Sequence, residues 1–135
     1  MNNQEKEKLF KQAKIGNLPK NLKDQMLQDN DGWSIAHIYT KYKKLPKRFK
    51  KWRLTNYDGI TVAHMAALHN NLPKGFNKWG ISDNFGNTVA HFAAMTNSLP
   101  KDFNRWNLKN NDGWSVADHA NLYNASPSHL KKEKI

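Results

Sequence analysis

The chain has 135 residues, with 22 Lys and Arg against 11 Asp and Glu, and carries a formal net charge of +11. It contains no cysteine, which excludes a disulfide framework, a thiolate zinc site, an iron–sulfur cluster and a thiol nucleophile. No apolar run reaches the length of a membrane span, and the stretch 1–14 lacks the apolar centre of a signal peptide. We therefore expect a single domain over residues 1–135, in a bacterial or host-cell cytosol and without a membrane partner.

The dominant feature of the sequence is a gapless internal repeat with a period of 27 residues, which gives five units. Glycine recurs at Gly32, Gly59, Gly86 and Gly113, at a constant interval of 27. Proline recurs at the same interval, at Pro19, Pro46, Pro73, Pro100 and Pro127. These five are all the prolines of the chain, so proline occupies one fixed position in each unit.

The residue pattern of each unit predicts, in chain order, a first helix, a second helix and a polar turn. A hydroxyl residue suited to cap the first helix follows each glycine, at Ser34, Thr61, Thr88 and Ser115. Ala-rich stretches over 62–68 and 89–95 predict the first helices, and Asn70 and Asn97 can end them in a left-handed conformation. The Leu-Pro pair that follows predicts a second helix with proline in its first turn.

Helices this short bury their apolar faces only against neighbouring units. The sequence therefore predicts an all-α solenoid of five stacked helix-turn-helix units with little or no β-structure. Residues 1–31 form an N-terminal capping unit, 32–112 three central repeats, and 113–135 a C-terminal capping unit that ends in a last helix. The repeated tryptophan becomes Gln25 and Glu133 in the two end units, as expected where each cap has a water-facing side.

The central units resemble ankyrin repeats. Residues 56–67 (NYDGITVAHMAA) and 83–94 (DNFGNTVAHFAA) match the family pattern D-x-x-G-x-T-P-L-H-x-A-A. Val-Ala replaces Pro-Leu, and the repeat has a period of 27 where that of the family is about 33. The resemblance implies a shortened ankyrin-like fold that binds proteins, uses no cofactor and is not an enzyme. It also implies that the repeated histidine connects turns by hydrogen bonds.

The resemblance places the partner-binding positions in the turns and on the exposed side of the first helices. We expect an adaptor or inhibitor that is monomeric when free, such as a stand-alone phage or mobile-element product that blocks a host protein machine. A basic inhibitor would cover an acidic patch or compete for a nucleic-acid-bound complex. The candidate protein-binding residues are Trp33, Tyr42, Tyr57, Asp58, Ile60, Leu68, His69, Asn84, Phe85, Asn87, Met95, Asp112, Trp114 and Tyr123.

Two further columns, meaning residues that recur at the same position of successive units, have both a structural and a chemical interpretation. Equivalent atoms of His37, His64 and His91 would lie about 10 Å apart in packed helices, too far to share a metal ion, so we interpret them as structural. Phe76 and Trp79 exemplify aromatic columns that could stack on nucleic-acid bases, but their regularity favours core packing. The sequence shows neither a metal site nor a catalytic constellation.

Basic residues support an alternative function. They form a stripe along the predicted second helices, which could bind nucleic acid instead of protein. Non-specific affinity for nucleic acid follows from the charge alone. A third interpretation is a structural subunit of a larger assembly. The candidate nucleic-acid-binding residues are Lys47, Arg48, Lys50, Lys51, Lys74, Lys78, Lys101 and Arg105.

Overall fold

A computed structural model describes residues 2–123 of the chain. Its helices are Asn3–Lys14 (α1), Leu22–Gln25 (α2), Ile35–Tyr39 (α3), Val62–Leu68 (α4), Val89–Met95 (α5) and Val116–Leu122 (α6). Strand pairing within residues 2–123 is limited to four isolated antiparallel bridges, each flanking a turn. None of the six helices is long and apolar enough to cross a membrane. The chain is therefore helix-rich with almost no strands. The predicted last helix of the C-terminal cap lies outside the described residues.

The first helix of each unit begins at the predicted hydroxyl cap. Thr61 Oγ1 accepts a hydrogen bond from the backbone N–H of His64 at 3.1 Å, and His64 Nδ1 accepts one from the backbone N–H of Thr61, also at 3.1 Å. The same reciprocal pair forms at the other three predicted caps, Ser34, Thr88 and Ser115. A cap of this kind stabilises a helix by about 1 kcal/mol. The predicted bounds of α4 and α5 are confirmed.

The first helices also end as predicted. Asn70 and Asn97 both have a φ of 57°, in the left-handed region. Beyond Asn70, the backbone N–H of Asn71 turns back to the carbonyl of Ala66 at 2.7 Å, which completes the usual left-handed helix ending. The αL role predicted for these two asparagines is confirmed.

The predicted second helix of the central units is wrong. Residues 46–54 form two separate turns, closed by Phe49 N–H to Pro46 O at 2.9 Å and by Leu54 N–H to Lys51 O at 3.1 Å. Residues 73–81 and 100–108 repeat this arrangement. We call these three ranges the Leu-Pro segments. Among the four units whose corresponding segment lies within residues 2–123, the first alone forms a short helix here, α2.

The carbonyls of this segment have other partners, which explains the difference. Trp52 O accepts from Ala63 N–H at 3.2 Å, and Leu54 O accepts from Val62 N–H at 3.0 Å. These two donors belong to the first turn of α4, where N–H groups have no partner inside the helix. The segment therefore caps the next helix, and a continuous helix would turn these carbonyls away from that role.

Successive first helices pack on one another in chain order. Helix α1 contacts α3, α3 contacts α4, α4 contacts α5, and α5 contacts α6. Ala63, Ala66 and Ala90 are completely buried among them. Small side chains at these positions allow the helices to approach closely, and they form the centre of the core.

A row of aromatic rings covers this core on the side of the Leu-Pro segments. Neighbouring rings meet edge to face, with centroids between 5.0 and 6.1 Å apart, the geometry that aromatic pairs prefer. The row runs Phe49, Trp52, Phe76, Trp79, Phe103, Trp106. Core packing of the aromatic columns is thus confirmed, although Phe76 and Trp79 keep one part of their surface exposed.

In the first unit, Gln25 takes the place of tryptophan, and its predicted exposure to water is wrong. It is only 3% exposed, and its Nε2 donates to Pro19 O at 2.8 Å. In this unit a side-chain amide, hydrogen-bonded within its own loop, occupies the position at which the central units have an indole ring. A buried polar side chain is tolerated because it has this partner.

Candidate functional site

The turns that contain most of the predicted binding residues are shaped by one side chain each. In the turn of residues 83–87, Asp83 Oδ1 accepts from the backbone N–H groups of Phe85 and Asn87, both at 2.9 Å. The equivalent residues Asp29, Asn56 and Asn110 make the same two contacts in their own turns. These four residues are not among the candidate binding residues, although Asp or Asn stands three positions before each repeated glycine, where the family pattern begins with Asp.

Hydrogen bonds also connect each turn to the next. Asn84 N–H donates to Asp58 O at 2.9 Å, and Asn111 N–H donates to Phe85 O at 3.0 Å. The side-chain amide of Asn84 donates to Tyr57 O at 3.3 Å. We call the connected turns of residues 29–33, 56–60, 83–87 and 110–114 the turn ridge. Hydrogen bonds within the chain thus hold its backbone geometry.

The histidine column joins the first helices to this ridge. Nε2 of His37, His64 and His91 lies 2.9, 2.8 and 2.9 Å from the carbonyl oxygens of Ile60, Asn87 and Trp114. Because a carbonyl only accepts and Nδ1 accepts from the cap, each ring is neutral and carries its proton on Nε2. The structural role predicted for these histidines is confirmed, since both ring nitrogens are occupied.

Burial sets the charge state of the same rings. All three are fully buried. Desolvation lowers the pKa of His37 to about 4, with a smaller contribution from His64, against the carbonyl of Ile60, which raises it. Desolvation likewise lowers the pKa values of His64 and His91. Across residues 2–123, no group of three or more His, Asp or Glu side chains is placed to hold a metal ion.

Nine of the fourteen candidate protein-binding residues are exposed to solvent, and five are half-buried. The exposed ones are Tyr42, Tyr57, Asp58, His69, Asn84, Phe85, Asp112, Trp114 and Tyr123. The half-buried ones are Trp33, Ile60, Leu68, Asn87 and Met95. The structure therefore places most of this set where a partner can reach it.

Trp33, Asn84 and Asn87 make contacts within the chain, whereas the sequence predicts that they contact a partner. Trp33 meets His37 edge to face at 5.5 Å and packs on the cluster of Ala13, Ile35 and Ile38, so its predicted surface position is wrong for much of the ring. Asn87 Oδ1 accepts from Asn110 Nδ2 at 2.8 Å. Like Asn84, Asn87 is thus engaged within the ridge itself.

Charge divides the molecule into two kinds of surface. The turn ridge contains five aspartates and neither lysine nor arginine. The eight basic residues of the alternative site are all exposed on the Leu-Pro segments. None of these eight side chains forms a hydrogen bond or an ion pair with another residue in the described part of the chain. These eight basic residues are therefore exposed cations, and they lie on turns and not on the predicted second helices.

Comparison with known proteins adds no relative: neither the family models nor the curated proteins give a match to this chain. Its interpretation therefore depends on its own residues and their geometry.

Proposed function

We propose that this chain is a protein-binding module, an adaptor or inhibitor built as a shortened ankyrin-like solenoid, which grips its partner with the turn ridge and the exposed ends of the first helices. One observation carries the proposal. Tyr57, Phe85 and Trp114 lie on three consecutive, hydrogen-bonded turns and are 69%, 59% and 46% exposed. Large aromatic side chains exposed to water on neighbouring turns are typical of binding surfaces.

The turn ridge suits binding because it is rigid before the partner arrives. Each turn is held by two bonds to Asp or Asn and by the neighbouring turn, as in the case of Asp83. The turns of residues 56–60, 83–87 and 110–114 are each held by one histidine as well. Binding to such a surface orders few groups, so less of the interaction free energy is lost as conformational entropy. Tyr and Trp add a large contact area with only two side-chain torsions each.

We include the exposed ends of the first helices in the proposed binding surface. Tyr42 and Tyr123 follow the ends of α3 and α6 and are about half exposed, and Leu122 is more exposed still. Chain-order packing of the helices and the histidine bonds between units support the solenoid arrangement, with units one and five as caps. A solenoid would present these residues along one continuous face.

The test uses the full chain as bait in nuclease-treated lysate of the source cell, followed by measurement of Kd for the purified partner. We expect Tyr57→Ala/Phe85→Ala/Trp114→Ala to weaken binding by about 100-fold or more, since hot-spot residues contribute about 2 kcal/mol each. The matched control is Ile15→Ala/Leu22→Ala, which removes exposed apolar surface from the first unit.

Circular dichroism must show that both variants keep wild-type helical content. Unchanged affinity of a folded ridge variant, or equal loss in the control, would show that the partner binds elsewhere.

A further inference from the structure

A second binding surface lies on the Leu-Pro segments, apart from the turn ridge. We propose that the groove between the segments of units three and four binds single-stranded nucleic acid, with a base against the aromatic row and phosphates on the basic rims. This inference does not depend on the proposed protein-binding function, because no residue of the turn ridge lines the groove.

The groove is large enough to hold a nucleotide. Its volume is about 710 Å³, and residues 70–79 line one side while 98–105 line the other. Sites for small ligands range from about 300 to 1,000 Å³, so an unpaired nucleotide can enter. Phe76 and Trp79 line the groove and are half-buried, which leaves part of each ring accessible to a base.

The rims of the groove are basic. Lys74 lies on one side and Arg105 on the other, and both are exposed and without a hydrogen-bond or ion-pair partner in the described chain. Gly80 makes room for Arg105: a Cβ added at Gly80 would lie 3.1 Å from one guanidinium nitrogen. Asp102 is the single acidic residue among those that line the groove.

The same charges recur along the chain, which gives a strand a path. Lys47 and Lys101 stand one repeat before and one repeat after Lys74, and Lys51 and Lys78 occupy the position of Arg105 in the two preceding units. All of these side chains are exposed. Each phosphate neutralised by such a cation releases counterions, which favours binding at low salt.

The combination of rings and cations distinguishes a single strand from other polyanions. Stacking of a base on an aromatic ring contributes about 1–3 kcal/mol and needs an unpaired base. Bases in a duplex are already stacked on one another. An acidic protein would use the cations but gain nothing specific from Phe76 and Trp79. The groove therefore favours a single strand over a duplex and over an acidic peptide.

The test measures the affinity of the full chain for fluorescein-labelled oligothymidine of about 12 nucleotides, by anisotropy over a salt series. Lys74→Gln/Arg105→Gln removes two positive charges from the groove. Lys8→Gln/Lys11→Gln removes two from exposed positions on α1 and is the matched control. Each phosphate contact on a single strand contributes about 0.7 to the salt slope, so we expect the groove variant to lower the slope by about 1.4 and the control to leave it unchanged.

Two further variants test the location and the charge of the binding site. Asp102→Asn should tighten oligothymidine binding, because it removes the one negative charge of the groove. The ridge variant Tyr57→Ala/Phe85→Ala/Trp114→Ala should bind oligothymidine as the wild type does, which separates this site from the turn ridge.

Three results would overturn the proposal. One is equal weakening by the groove and α1 variants, which would show that binding follows net charge alone. Another is duplex DNA that binds as tightly as the single strand. A third is a poly-glutamate peptide that binds as tightly and is equally sensitive to the groove variant. The exchanged side chains are exposed and unpaired, so circular dichroism should confirm an unchanged fold.

Discussion

Replacement of Gly86 by alanine should destabilise the chain more than any replacement at a glycine with open surroundings. Gly86 has a φ of +78°, and a Cβ at this position would lie 2.6 Å from the backbone nitrogen of Asn111 and would collide with its Oδ1. The side chain of Asn111 could rotate away from this Cβ, but its backbone nitrogen could move only if the turn itself shifted. Asn111 is also the residue that connects this turn to the next, through its N–H to Phe85 O at 3.0 Å.

The magnitude follows from two contributions. A left-handed φ costs an L-residue about 1–2 kcal/mol, partly offset by about 0.4–1 kcal/mol because alanine lowers the entropy of the unfolded chain. Displacement of Asn111 weakens its backbone bond to Phe85 and its side-chain bond to Asn84 O at 3.2 Å. At about 0.5–1.5 kcal/mol each, these losses raise the total for Gly86→Ala to about 2–4 kcal/mol.

Gly113→Ala is the matched control. Gly113 occupies the same position of the next turn with a φ of +82°, but no described heavy atom lies within 4 Å of its added Cβ. It should cost only the conformational part, about 1 kcal/mol. Urea unfolding followed by tryptophan fluorescence measures both values, provided the m-values agree. If the two variants lose the same free energy of unfolding, contact between turns does not stabilise the fold as described.

Two further predictions concern buried polar groups. The urea midpoint should fall as the pH drops from about 7 towards 4, because the buried histidines have pKa values below their unfolded value of about 6.5 and the folded chain therefore binds fewer protons in that window. For His37, with a pKa of about 4, the full loss is about 3 kcal/mol, and a midpoint that stays constant between about pH 7 and 5 would contradict neutral buried rings. Asp83→Ala should cost about 2–3 kcal/mol by leaving two N–H donors unpaired, whereas Asp83→Asn should be nearly neutral, since Asn56 and Asn110 accept the same bonds in their turns. Thermal or urea unfolding of the two Asp83 variants distinguishes these outcomes, and equal loss in both would assign the effect to the charge.

The exposed aromatic residues of the candidate site could be predicted from the repeat. Tyr57, Phe85 and Trp114 break the framework pattern within turns whose glycine and polar residues are regular, and the structure leaves all three exposed. Trp33 has the same repeat position as Trp114 but packs towards α1, which is longer than the first helices of the central units. Repeat position alone could not reveal that difference.

The sequence by itself determined the units, the first helices and both of their ends. Caps such as Thr61 and left-handed residues such as Asn70 act within a few residues of the chain, so their effect can be read from local order. Tertiary structure alone decided the form of the Leu-Pro segments and the burial of Gln25. The carbonyl of Trp52 binds the first turn of α4, in the next unit. That contact depends on how consecutive units pack. It outweighs the local preference for a helix that the proline at the start of the segment indicates.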